Sequence, residues 1–347
     1  MLIGNYKETY ASDEAVFRTP AARWWMAALG CAAVAYPFVA GDYLLYLATL
    51  MGVLALAALG LNVLIGFTGQ ISLGHAAFMG VGSYVTAILA TRLGLPFWLS
   101  VPAGGLAACA AGVVVGAPSL RIKGLYLAIA TLAAQVIFEW VFTNWTSVTG
   151  GIRGINVPPA RVWGVALDGD VKVYFLVEAL VAVHYLLAAN LRRSRWGRAF
   201  VAVRDRDIAA EIVGVNIFRT KIVAFMVSSY YAGIAGGLWV YFMKVVTPEN
   251  FPLSLSIQFL AIVVVGGLGS IPGTLLGTVF MTLVPEVLKL ATGLVRAAWP
   301  EAQSYLFPLR DVVFGTLIVV FLIFEPKGLV EMWNRLRRFF ALWPFEK

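Results

Sequence analysis

Charge vanishes from this chain over long distances. Residues 43–91, 93–120, 222–243 and 251–285 contain no Asp, Glu, Lys or Arg. A bilayer core of about 30 Å is crossed by roughly 20 apolar residues of α-helix, so each run holds one span or two. Taken with the shorter apolar stretches, the pattern predicts helices over roughly 24–40, 43–65, 70–91, 96–116, 122–143, 173–191, 221–243, 254–270, 273–290 and 306–325. The predicted fold is an all-α polytopic membrane protein with about ten transmembrane helices. A polar lead covers 1–23, the transmembrane domain 24–325, and a basic, aromatic tail 326–347.

Three places interrupt the apolar pattern. The first is GFTGQISLGHAAFMGVGSY, Gly66 to Tyr84, where five glycines alternate with Gln70, Ser72 and His75. Within lipid every backbone N–H and C=O must be satisfied inside the protein, so a loosened helix survives only when buried in protein or beside water. Gly69, Gln70, Ser72, Gly74 and His75 are therefore candidates for a translocation pathway through a broken segment. A close helix crossing with polar groups capping the backbone explains the same residues equally well. The second is Arg192 to Lys221, thirty residues with eight Lys/Arg and three Asp/Glu. Inside it RDRDIAAEIVG, Arg204 to Gly214, reads as one short helix, with Asp205 and Asp207 at its N-terminus and Gly214 as a left-handed stop. Ile208, Ala209, Ile212 and Val213 share a face. A helix of about eight residues does not stand alone in water, so that face rests either on its own membrane domain or on a cytosolic partner. The third is GGLGSIPGTLLGTVF, Gly266 to Phe280, where Gly269, Gly273 and Gly277 stand four apart as a small-residue stripe for helix packing.

Composition narrows the function. Apolar residues make up 61% of the 347 and charged residues 13%, far from a soluble domain. The net charge of +8 does not point to nucleic acid, because position explains it. With the N-terminus inside, cytoplasmic segments collect 18 of the 26 Lys/Arg and the outer ones eight, the positive-inside bias. The basic segments suit anionic membrane lipid. Cys31 and Cys109, both in predicted spans, offer neither a disulfide framework nor metal-ligand spacing, so no metal site is expected. No GxxxxGK[ST], HExxH, CxxC or GxSxG is present, which argues against an enzyme and against an ATPase within this chain. Glu139, near a span end beside Trp140 and Trp145, is the one tempting intramembrane carboxylate, and it reads as interfacial.

Three stretches together resemble the permeases of branched-chain amino acid ABC importers, in particular the longer, LivM-like type: GLNVLIGFTGQISLGHAAFMGVGSY (Gly60–Tyr84), DIAAEIVGVNIFRTK (Asp207–Lys221) and VVVGGLGSIPGTLLGTVF (Val263–Phe280). Glu325–Leu329, EPKGL, fits as well. The resemblance implies that Asp205, Asp207, Ile208, Ala209, Ala210, Glu211 and Gly214 form the loop that couples such permeases to their ATPase. The order here is Ala-Ala-Glu-x-x-Gly, with Ile208 where the familiar consensus has its first Glu. It further implies a bacterial inner-membrane location with both termini cytoplasmic, a heterodimer with a second, shorter permease, two cytosolic ATPase subunits and a periplasmic solute-binding protein. This chain would bind no cofactor, ATP being hydrolysed by the partner subunits. The same family outline serves urea and short amides. An ion-coupled secondary transporter and a membrane-embedded enzyme stand as rivals, the first needing an ionisable residue at mid-bilayer and the second a catalytic constellation.

Overall fold

The computed structural model describes residues 20–119, 125–162, 165–295, 306–325 and 327–342. Most of the polar lead, 1–19, and the end of the tail, 343–347, lie outside the described residues. The helices are α1 (Pro20–Val39), α2 (Asp42–Asn62), α3 (His75–Arg92), α4 (Phe97–Ser119), α5 (Leu125–Asn144), α6 (Asp170–Arg193), α7 (Arg195–Asp205), α8 (Asp207–Ile212), α9 (Ile217–Met243), α10 (Leu253–Gly266), α11 (Ile271–Val295), α12 (Leu306–Phe324) and α13 (Gly328–Leu342). Four two-residue strands, β1 (Ile155–Asn156), β2 (Arg161–Val162), β3 (Val165–Ala166) and β4 (Val245–Val246), lie in the connections, with single helical turns at Val63–Phe67, Thr146–Thr149, Gly151–Arg153 and Pro248–Asn250.

The ten predicted spans have helical counterparts in the same order, yet seven described helices are long and apolar enough to cross a membrane: α2, α4, α5, α6, α9, α10 and α11. An eighth appears if α12 and α13, bent by 51° at their junction, count as one span. The count of ten is thus not reached on length and composition. The apolar part of α1 is short, Ala27–Val39, and α3 begins at His75 rather than at residue 70.

Helix α2 forms the centre. It is apolar on all sides, and 89% of its span is buried, against 33% for α5, α6 and α11. A helix without a polar face belongs inside a bundle, and this one packs against α6, α9, α10 and α11. Around it, α3, α4 and α9 cross with their backbones nearly touching. A Cβ on Gly82 would fall on the Gly233 backbone, and one on Gly236 on the carbonyl of Met79. Without a hydrophobic force between helices in lipid, such close van der Waals contact is what holds them.

The two ends of the bundle differ. At one end β1 pairs antiparallel with β4, Ile155 opposite Val246, and Lys244 meets Asp168 at 3.2 Å. Tyr43 at the start of α2 donates its hydroxyl to Glu286, which also pairs with Lys289. The basic α7–α8 loop, the α2–α3 connection and the α10–α11 turn gather at the other end.

Candidate functional site

Helix α2 does not run straight into α3. After Asn62 the chain makes a π-helical turn, Val63–Phe67, and then leaves helical geometry until His75. Such π turns are often functional. Gly69 adopts φ +70°, a left-handed conformation that a side chain would strain, and its N–H still reaches Ile65 O at 2.9 Å. Thr68, Gln70, Ser72, Gly74 and His75 are buried, whereas Gly69 is exposed.

Side chains from distant helices satisfy the freed backbone groups. Thr131 Oγ1 on α5 accepts from Leu73 N–H at 2.9 Å, Ser256 Oγ on α10 from Ala76 N–H at 2.9 Å, and Gln135 Oε1 on α5 from Ala77 N–H at 2.8 Å. Gln135 also donates through Nε2 to Phe251 O at 2.8 Å. These bonds cap the N-terminus of α3 in place of the side-chain cap that Gly74 cannot provide. His75 Nε2 lies 2.7 Å from Ala57 O; since a carbonyl only accepts, that nitrogen carries the proton. The ring stands edge-on to Phe259 with centroids 5.6 Å apart. Gln70 Nε2 donates to Thr68 Oγ1 at 2.8 Å, while its Oε1 is buried without a hydrogen-bond partner.

The α10–α11 turn closes against the same segment. Asn62, fully buried, donates to Ser270 O at 2.9 Å and Thr274 Oγ1 at 2.7 Å and accepts from Gly269 N–H at 2.8 Å. Gly269 is therefore not part of the helical stripe: it precedes α11, at φ +75°. Gly273 and Gly277 do lie on α11, where a Cβ on either would meet the backbone of α10 at Gly266 or Ile262.

The basic loop differs from its predicted form. Arg204 to Gly214 is not one helix, because Arg206 is extended (φ −156°, ψ 101°) and divides α7 from α8. Asp205 thus ends α7, and Asp207 alone opens α8. The stop is as expected. Gly214 at φ +93° donates to Glu211 O at 2.9 Å and Val215 to Ala210 O at 2.9 Å, the paired bonds of a Schellman end. Of the apolar face, Ile208, Ile212 and Val213 are 67, 82 and 84% exposed, and in α8 only Ala210 is buried. The face does not rest on its own membrane domain.

With this geometry in place, comparison with known proteins gives the family. The model of "Branched-chain amino acid transport system / permease component" matches residues 43–322. The chain belongs to this family. It is 33% identical over 332 residues to the high-affinity branched-chain amino acid transport system permease protein LivM of Escherichia coli K12, covering 89% of this chain and 75% of that one. LivM of Salmonella typhimurium LT2 matches over the same shares at 33%. LivH of Escherichia coli K12, a permease protein of the same description, is 26% identical over 81% of this chain and 92% of its own. No solved structure matches the chain. The family match and the apolar helices make this a multi-pass membrane permease of the branched-chain amino acid transport family.

The range matched by the family takes in both the broken segment and the α7–α8 loop. The sequence alone assigns no role to several residues in that range. Asn62, Thr131, Gln135 and Ser256 are single polar residues in apolar runs, and their spacing alone does not say which backbone they serve. Glu178 was overlooked altogether. It sits well inside α6, with Oε1 against Gly52 of α2, where a Cβ would be 2.5 Å away. A carboxylate in the middle of an apolar helix was the available signal, and it outranks Glu139, which is half-buried near the end of α5.

Proposed function

We propose that this chain is the transmembrane permease subunit of an ATP-binding-cassette importer for branched-chain amino acids. Separate ATPase subunits drive it, a shorter LivH-like permease pairs with it, and a periplasmic binding protein feeds it. The observation that carries the reading is the exposed apolar face of Ile208, Ile212 and Val213 on a six-residue helix. So short a helix is marginal by itself, and an apolar face turned away from its own domain fits a socket on another protein. The comparison supports the class of partner, since Escherichia coli LivM and LivH are both named as permease proteins of high-affinity branched-chain amino acid transport.

In this reading Asp207, Ile208, Ala209, Ala210, Glu211 and Gly214 meet the ATPase, and Asp205 stands behind them at the end of α7. Closing of the ATPase pair pushes α8, the push moves α6 and α9 as rigid bodies, and the path opens alternately to each side. Gly69, Gln70, Ser72, Gly74 and His75 lie along the path, where an amino-acid zwitterion meets backbone dipoles rather than a fixed charge. Gly273 and Gly277 allow α10 and α11 to slide. The chain itself binds neither ATP nor metal. The basic loop, taken as the cytoplasmic end, supports a bacterial inner-membrane location with both termini inside. The tail helix α13 lies at the interface, its exposed Trp333, Leu336 and Phe339 turned to lipid.

The test is ATP-dependent uptake of leucine, isoleucine or valine in vesicles holding the full set of subunits. Glu211→Lys abolishes uptake while leaving the chain folded in the membrane; intact uptake would refute the coupling assignment. One observation favours an ion-coupled transporter instead, namely Glu178 inside α6 and against Gly52 of α2. Uptake by the purified single chain under a proton or sodium gradient would decide for it.

A further inference from the structure

The basic loop does more than display α8. Arg204, near the C-terminus of α7, donates through Nη1 to Gly66 O at 2.8 Å, within the π-helical turn. Its Nε and Nη2 both point to Asp205 Oδ1, at 3.0 and 2.9 Å, so the neighbouring carboxylate orients the opposite edge of the guanidinium. Two glycines leave room for the side chain. A Cβ on Gly69 would lie 3.2 Å from Arg204 Cγ, and one on Gly269 would lie 3.2 Å from Arg204 Nη1. In the last turn of α6, just ahead of α7, the Arg192 guanidinium stands 5.8 Å from the centroid of the Phe67 ring. The helix between them is anchored by buried Phe200 and Val203. Three separate pieces of chain thus meet at one guanidinium: the α7–α8 loop, the broken segment through Gly66 and Gly69, and the α10–α11 turn through Gly269. Asn62 then links the last two by its bond to the Gly269 N–H.

We propose that Arg204 is a positioning residue that ties displacement of the α7–α8 loop to simultaneous movement of the broken segment and the α10–α11 turn. The inference rests on the reading of α8 as the helix that an ATPase pushes. α8 itself makes few contacts with the bundle, so a push on it needs a tie into the interior. A guanidinium suits that role: it is planar, always charged, and bonded on two edges at once, so it transmits direction as well as attraction. Lysine could hold Gly66 O as a point charge but could not keep the second edge on Asp205.

The experiment compares wild type with Arg204→Gln and Arg204→Lys in the full transporter. Three quantities are read in vesicles: uptake, ATP hydrolysis per assembled complex, and the ATP spent per solute moved. A coupling free energy of the usual size predicts that Arg204→Gln raises the ATP spent per solute about tenfold, with assembly retained and hydrolysis within about twofold of wild type. Arg204→Lys recovers part of the coupling. Hydrogen exchange on the chain alone supplies the second arm. The Gly69 and Gln70 amides, which donate to Ile65 O and Leu64 O, should exchange roughly tenfold faster in Arg204→Gln, as loss of one charge-assisted hydrogen bond permits. Helix α6, remote from Arg204 at its far end, serves as the control. The proposal is overturned if ATP spent per solute is unchanged, if uptake and assembly fall together, or if exchange at 69 and 70 does not move. Were the wild-type chain to assemble with no ATPase, the importer reading would fall separately, and exchange would still decide whether Arg204 holds the segment.

Discussion

The broken segment and α8 invert each other. Between Thr68 and His75 the chain buries a threonine, a glutamine, a serine and a histidine in a protein that is 61% apolar, while α8 leaves two isoleucines exposed, with Val213 exposed beside them. Both depart from the rule that apolar groups go inside, and for opposite reasons. In the segment the governing need is backbone satisfaction: six residues outside helical geometry and the open first turn of α3 leave N–H groups that lipid cannot solvate, so Thr131, Gln135 and Ser256 are drawn in to meet them. In α8 no such need exists, because its backbone is closed by the Schellman end. Its exposed apolar side chains, Ile208 and Ile212, can serve another molecule.

The largest expected effect tests the first half of that contrast. Gln135→Leu removes the donor to Phe251 O, an acceptor of the Ser256 hydroxyl at 3.3 Å, and the shorter of the two acceptors of the Ala77 N–H, which keeps Gly74 O at 3.2 Å. Each orphaned buried group costs about 1–3 kcal/mol, so the variant loses several kcal/mol and much of its accumulation in the membrane. Thermal unfolding in detergent, followed beside that of Val136→Leu on the exposed face of α5, would measure it. Equal melting of the two variants would mean that the cap is not what holds α3.

This pair of regions also shows how far a sequence speaks. The polar, glycine-rich run at Gly66–Tyr84 and the charged loop at Arg192–Lys221 stood out because each breaks an apolar background, and Gly214 was legible as a stop because only glycine is comfortable at positive φ. The partners of the first region were not legible. Ala77 finds Gln135 at a separation of 58 residues and Ala76 finds Ser256 at 180, and nothing local to either residue encodes the match. The split at Arg206 was hidden too, since Asp205 and Asp207 flank it alike and helix propensity there is even. Gly269 fell on a four-residue spacing with Gly273 and Gly277, yet the turn before α11 takes it out of the helix. Periodicity found the helices but could not find their ends.

The second effect is smaller and should leave the chain itself untouched. Ile212→Asp places a charge on a residue 82% exposed, a change worth within about 0.5 kcal/mol of the chain's own stability. If α8 is an anchor for a partner, the same substitution weakens retention of the ATPase by about 2 kcal/mol, the scale of an interface hot spot. Co-purification from native membranes under graded salt compares the two. Loss of the chain rather than of its partner would show that α8 packs on its own domain after all.

The smallest effect on stability sharpens the question of what the segment is for. Gln70 Nε2 keeps a bond to Thr68 and a longer one, 3.5 Å, to Lys221 O, and leaves Oε1 without a hydrogen-bond partner though the residue is 97% covered. A buried orphan oxygen destabilises the fold and calls for a reason. Gln70→Met fills the same volume, removes the orphan and gives up the bonds made by Nε2, so gain and loss nearly cancel and the melting temperature should shift by the equivalent of about 1 kcal/mol or less. A merely structural glutamine would then leave uptake unchanged. If Oε1 instead waits for the ammonium group of a passing amino acid, Gln70→Met holds its fold and loses uptake. Gln135→Leu would behave the other way round, failing first in stability, and the two variants together separate the residues that keep the segment in place from the residue that it presents.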